Sequence, residues 1–257
     1  MPKIKPASPD DQFTLVEHLD ELRFRLIVCI AVFVVALGLC IWQSDLVLEI
    51  ANRPLPDGFQ PITFAVGEPF ITTITVAAYA ALVISIPVIL YQTYAFILPA
   101  LTPRERHVAK PMVVLIPVLF LAGVAFAYFA VMPAATKFLL GFNATEFKIE
   151  VRAKDYYSFF GLTLLSLGVL FQVPVVILAL TRLGVTTPDM LARYRRYAVL
   201  VIAVIAMLLP GTDPVTMLIS MVPLYLLYEG SILLARVAGS PEPEKANDPP
   251  TATPDPG

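Results

Sequence analysis

Charged side chains are what this sequence has least of. Asp, Glu, Lys and Arg make up only 15% of its 257 residues, against roughly 25% in a soluble domain. Histidine and cysteine are scarcer still, at two each. His18 and His107 lie far apart, without partners at metal-ligand spacing, so each reads as a solvated surface residue and no metal site is expected. Cys29 and Cys40 fall in one apolar run. On a helix they stand about 16 Å apart along the axis, beyond the ~7 Å reach of a disulfide. No glycine-rich loop ending in Lys-Ser or Lys-Thr is present, which excludes that mode of ATP binding. No Ser–His pair, Cys–His pair or pair of aspartates lies within the apolar runs, so an enzyme is not expected, and neither is a cofactor or a nucleic-acid partner. The basic-then-apolar form of a cleaved signal peptide is missing too, because Lys3 and Lys5 lead into an acidic, polar stretch.

What fills the chain is apolar: 58% of residues are hydrophobic and the mean hydropathy is +0.77. Lipid is therefore the expected solvent, and the fold class an all-α polytopic membrane protein. Apolar runs cover residues 26–43, 70–98, 112–140 and 158–181, then a short run from Tyr197 to Leu209, then 215–235. The fifth run is about 20 Å long as a helix against a hydrocarbon core of roughly 30 Å. It is either re-entrant or crosses where the bilayer is thinned, and the turn Pro210-Gly211-Thr212-Asp213-Pro214 makes a tight hairpin with the sixth. Six crossings are expected. Alternate connections hold 13 of the 18 basic residues, among them Arg23, Arg25, Arg104, Arg106, Arg193, Arg195, Arg196 and Arg236, while the others hold five. That bias places both termini in the cytoplasm.

A helix should begin at a capping box, Thr14-Leu15-Val16-Glu17, with Leu15, Leu19, Leu22 and Leu26 forming an amphipathic entry. Segments 45–69 and 141–157, rich in prolines and acids, are expected to cap the outer face. The organisation is then a cytoplasmic segment 1–13, a membrane domain 14–237, and a disordered, proline-rich cytoplasmic tail 238–257. Pro87, Pro117, Pro133, Pro174 and Pro223 should bend or break their helices, giving a concave array and not a straight bundle.

Few polar groups remain to carry function. Glu21 and Glu105 sit at cytoplasmic ends of different spans, where they can converge. The alternatives are an i,i+4 pair of Glu21 with Arg25, and Glu105 as a helix-start acid after Pro103. Gln172 lies about halfway along span four, where an amide faces a bundle interior or a cavity, or makes an interhelical hydrogen bond. Glu229 approaches the cytoplasmic face, within reach of Arg236 or the basic run 193–196, and Asp213 is placed to cap the sixth helix.

Six ordered motifs resemble the TatC family, the receptor subunit of the twin-arginine protein translocase. They are Glu17-His18-Leu19-Asp20-Glu21-Leu22-Arg23-Phe24-Arg25-Leu26, Ile86-Pro87-Val88-Ile89-Leu90-Tyr91-Gln92, Phe96-Ile97-Leu98-Pro99-Ala100-Leu101 with Glu105-Arg106, Phe126-Ala127-Tyr128-Phe129, Phe171-Gln172-Val173-Pro174-Val175 and Pro223-Leu224-Tyr225-Leu226-Leu227-Tyr228-Glu229. The resemblance, over about 14–237, implies a bowl-shaped, N-in/C-in fold with short fifth and sixth helices in a bacterial cytoplasmic membrane. It implies binding of the twin-arginine signal peptides of folded proteins, with self-association and recruitment of TatA- and TatB-like single-span partners for export driven by the proton-motive force. Its signal-binding acids fall on Glu21 and Glu105, with Arg23, Arg25, Phe96 and Arg106 beside them, and its outer-cap and partner positions on Pro54, Asp213 and Met217. The family often has glutamate where Gln172 stands, and an amide does not titrate, so a proton relay is not expected there. Some members carry a glutamine where this chain has Met217. A small-solute transporter or channel is the competing class; it calls for internal repeats and mid-membrane charges, neither of which is visible.

Overall fold

A computed structural model of the chain describes residues 15–97, 112–182, 186–210 and 213–237. Among the described residues there are ten α-helices and one π-helical turn. α1 runs Leu15–Trp42, α2 Ser44–Asn52 and α3 Glu68–Ile97. α4 is Met112–Phe126, followed by the π-helical turn Ala127–Val131 and α5, Met132–Gly141. α6 is Ala153–Leu170, α7 Val173–Arg182, α8 Pro188–Arg193, α9 Arg195–Leu208 and α10 Pro214–Val237. Thr14, the residues 98–111 and the tail fall outside the described residues, so the capping box, Glu105 and Arg106 are not placed.

Five stretches are long and apolar enough to cross a membrane: His18–Trp42, Glu68–Phe96, Met112–Gly141, Ala153–Thr181 and Pro214–Arg236. α9 is the short sixth membrane element, at 14 residues or about 21 Å. The amphipathic entry is simply the first turns of α1, which continues into the span without a break. Leu19, Leu22 and Leu26 are all exposed. Trp42 at one end of α1 is 78% exposed, as an interfacial anchor would be.

Which helix ends share a face is fixed by packing. Tyr94, Met112, Leu178 and Ala235 cluster together, and Arg25 meets Gln92, so the start of α1 and α4 and the end of α3, α7 and α10 lie on one side. The arginines 193, 195, 196 and 236 belong to this basic face. The opposite face holds the largest buried cluster, with Ala51, Val131, Met132, Ala153, Tyr156 and Tyr157. α1 packs mainly on α3, α3 on α4 and α6, and α7 and α9 on α10. Gly123 and Gly168 bring α4 and α6 together: a Cβ on Gly123 would lie 2.7 Å from the Leu167 carbonyl oxygen and 2.9 Å from the Gly168 Cα.

The two segments expected to form a cap do pack together, on the face opposite the basic one. Ile62 pairs with Arg152 through backbone bonds, Ile62 N–H to Val151 O and Ala153 N–H to Ile62 O, both 2.8 Å. Glu68, 7% exposed, accepts from Arg152 Nε at 2.8 Å and from the amides of Phe64 and Ala65. That carboxylate holds the Arg152 guanidinium more firmly protonated still. Tyr156 and Tyr157 donate back to the Ala51 carbonyl and to Asn52 Oδ1. Pro54 is buried, and its carbonyl accepts from Thr136 at 2.8 Å.

Of the two outcomes expected at Pro174 the break is the one found, and one feature differs from the expectations. Span four is two helices, because α6 stops at Leu170 and α7 starts at Val173 with Pro174 in its first turn, where a missing N–H costs nothing. Gln172 stands in that break, 19 residues after Ala153, and so lies nearer the middle of the Ala153–Thr181 span than its basic end, as expected. The sixth helix is not short. α10 has 24 residues, about 36 Å, because Pro223 is accommodated inside it and its last turns run past Glu229. Only the fifth element is short, and its end is sunk: Thr163, ten residues into α6 and fully buried, lies 3.5 Å from the Pro210 carbonyl of the hairpin turn.

Candidate functional site

The first basic-face cluster is built where α1 leaves the face and α3 returns to it. Helical spacing sets Glu21 and Arg25 one turn apart, and Arg25 donates from Nε (3.0 Å) and Nη2 (2.5 Å) to Glu21 Oε1. Its remaining terminal nitrogen, Nη1, donates to Gln92 Oε1 on α3 at 2.9 Å, which ties the two helices together. Glu21 Oε2 is not engaged in that way; His18 Nδ1 stands 3.9 Å from it. His18 in turn stacks on Phe96, with centroids 4.3 Å apart and planes 12° from parallel. Glu21 and Arg25 are each about a quarter exposed or less, at 25% and 21%. Phe24 and Arg23 are exposed beside them.

The structure therefore brings together Glu21, Arg25 and Phe96 and leaves Arg23 turned to solvent. It corrects one reading and adds a residue. His18 is not a simple solvated histidine, because an aromatic ring covers it. Gln92, at the end of the Ile86–Gln92 motif, joins the cluster as a residue the sequence pattern marks only by a lone amide at the polar end of an otherwise apolar run.

A second basic-face cluster closes the other end of the array. Glu229 Oε2 accepts from Arg195 Nη2 at 2.8 Å, and Oε1 accepts from the Tyr225 hydroxyl at 3.0 Å and is ion-paired with Arg195 Nε at 2.8 Å. Of the two expected classes of partner it takes the 193–196 run; Arg236 instead lies 3.6 Å from Asp189. Tyr228 donates to the Leu191 carbonyl at 2.9 Å, so α10 is pinned to the approach to α9 at two points.

The third set of expected residues lies away from both clusters. Asp213 caps α10 as expected: Oδ1 accepts from the Thr216 amide at 2.8 Å, Oδ2 from the Thr216 hydroxyl at 2.5 Å, and Pro214 follows in the first turn. Both Asp213 and Thr216 are buried, and Met217 is half-buried next to them. Gln172 donates from Nε2 to the Ile116 carbonyl at 3.2 Å, an interhelical bond, while its buried Oε1 has no partner. Among the described residues no group of three His, Cys, Asp or Glu is placed to hold a metal ion.

This arrangement offers a carboxylate with one oxygen open among the described residues, flanked by a stacked aromatic pair, at the mouth of two apolar helices. Between those helices an apolar groove lined by Ala31, Val35, Leu39 and Ile84 begins six residues, or about 9 Å, beyond Arg25. Such a site suits a cationic, planar donor followed by an apolar segment.

Comparison with known proteins agrees with the motifs. The family model for TatC, Sec-independent protein translocase protein, matches residues 17–223. The chain is 36% identical to the Sec-independent protein translocase protein TatC of Aquifex aeolicus over 87% of this chain and 95% of that one. It is 37% identical to the TatC of Escherichia coli K12 over 89% and 90%. A crystal structure of a twin-arginine translocase receptor, TatC, superposes with a TM-score of 0.73 at 36% identity, covering 86% of this chain and 99% of that chain. With the helical array, the broken fourth span and the motifs in their places, the chain belongs to the TatC family of Sec-independent protein translocase proteins.

Proposed function

We propose that this protein is the receptor subunit of a twin-arginine translocase. It sits in a bacterial cytoplasmic membrane with its basic face and both termini in the cytoplasm, where it binds the paired arginines of signal peptides on folded cargo. The observation that carries this reading is Glu21: a carboxylate at the mouth of α1 and α3, one oxygen unengaged among the described residues, in a chain of this family. Glu105 supplies the second carboxylate from the connection between α3 and α4, with Arg106 beside it. Phe96 and His18 wall the site, and the apolar stretch of the peptide follows the groove between α1 and α3.

The chemistry supports arginine as the ligand. A guanidinium presents a planar pair of donors that a carboxylate accepts in parallel, whereas lysine presents one point charge. A charge-assisted bond of this kind contributes about 1.5–3 kcal/mol. Single-span partners of the TatA and TatB type dock at the α9–α10 hairpin, around Asp213 and Met217, where α9 also exposes Leu200, Val204 and Leu208. Self-association and coupling to the proton-motive force complete the proposed activity.

The test is binding of a twin-arginine peptide to the full chain in membranes. Glu21→Ala and Glu105→Ala are each expected to weaken it about tenfold, on the order of 1.4 kcal/mol per tenfold, and the double variant further. Unchanged binding by the double variant contradicts the assignment.

A further inference from the structure

The Glu21 carboxylate is not empty at rest. It already holds a guanidinium, that of Arg25, through two nitrogens on Oε1, and a third nitrogen of the same group is fastened to Gln92. The ligand proposed for this site is the same chemical group. We infer that Arg25 is a resident competitor for Glu21, which an incoming arginine must displace, and that this exchange, with Gln92 holding the resident in register, sets the selectivity of the site for arginine over lysine. The inference rests on the reading of Glu21 as the signal-peptide acceptor.

The geometry permits a stepwise exchange. Oε2 faces His18 at 3.9 Å, outside hydrogen-bonding distance, and is the oxygen a newcomer reaches first. A newcomer bonded there keeps the carboxylate paired while Arg25 leaves Oε1, and the released guanidinium carries its charge away from the carboxylate on its bond to Gln92. An arginine then spans both oxygens with its fork. A lysine offers one compact ammonium, cannot take both oxygens, and leaves Arg25 in place. Gln92 keeps one donor of the displaced guanidinium satisfied, which lowers the cost of release. Occupation by the resident reduces apparent affinity in proportion to the fraction of time Glu21 is free.

The test uses the full-length protein in lipid nanodiscs, with fluorescent twin-arginine and twin-lysine signal peptides as probes. Arg25→Lys keeps the positive charge but loses the fork. It is expected to tighten twin-arginine binding roughly three- to tenfold, matching a resident occupancy of about 70–90%, and to tighten twin-lysine binding more, so that the ratio between the peptides falls. Arg25→Gln is expected to move both affinities in the same direction. In a Glu21→Ala background neither substitution changes binding. Weaker twin-arginine binding by Arg25→Lys shows that Arg25 positions Glu21 and does not compete for it, which overturns the inference. Tightening that persists without Glu21 overturns it as well. Failure of the receptor reading itself appears separately, in the unmodified protein, as equal binding of the two peptides.

Discussion

At the scale of single residues, the polar groups of this chain divide by what answers them. Asp213 is answered locally: its two oxygens take the amide and the hydroxyl of Thr216 three residues on. Removing an N-cap of this kind costs about 0.5–2 kcal/mol. Asp213→Ala is therefore expected to lower the melting temperature in detergent, with Asp213→Asn, which retains an accepting oxygen, lowering it less. Glu229 is answered from 34 residues away by Arg195. Glu229→Gln loses the charge of that pair and should open the approach to α9, read as faster trypsin cleavage around Arg193–Arg196 in the folded protein. These two cases show why the site was only partly legible beforehand. The Glu21–Arg25 pair and the Asp213 cap follow from helical spacing, which sequence displays directly. The grip of Gln92 on Arg25 and the ring of Phe96 over His18 depend on how α3 is set against α1, and no spacing within either helix encodes that.

At the scale of elements, hydrophobic run length located every membrane helix, because a helix in lipid must satisfy its own backbone and so extends as far as the apolar residues do. What run length does not show is how each proline is used. Pro87, Pro117 and Pro223 lie inside continuous helices, while Pro133 and Pro174 open new ones after irregular turns. All five stand between apolar residues, so hydropathy alone does not separate the two uses. At the α4–α6 crossing the deciding residue is glycine, since a side chain on Gly123 meets the backbone of Leu167 and Gly168. Gly123→Val is expected to destabilise the protein by about 1–3 kcal/mol through overpacking. Gly38→Val, where nothing lies within 4 Å of the added Cβ, serves as the matched control and should leave the melting temperature near that of the parent.

At the scale of the whole molecule, the shortage of charge with which the sequence begins becomes a sorting of charge between two faces. One face is closed by Glu68, Arg152 and the tyrosines that donate across the cap. The other presents Glu21, Arg25 and the arginine run to water. A small-solute transporter would concentrate its polar groups at mid-depth, whereas here the ionic clusters sit at the helix ends on either side. The central claim, that the basic face is the receptor face for paired arginines, is tested most directly by photocrosslinking in native membranes. A photoreactive residue is placed at Phe24, exposed beside Glu21, or at Phe64 on the cap, and a precursor with twin-arginine or twin-lysine is added from the cytoplasmic side. The account predicts crosslinks from position 24 to the twin-arginine precursor, with few to its twin-lysine counterpart and none from position 64. Crosslinks from position 24 that are equally strong for both precursors would contradict it.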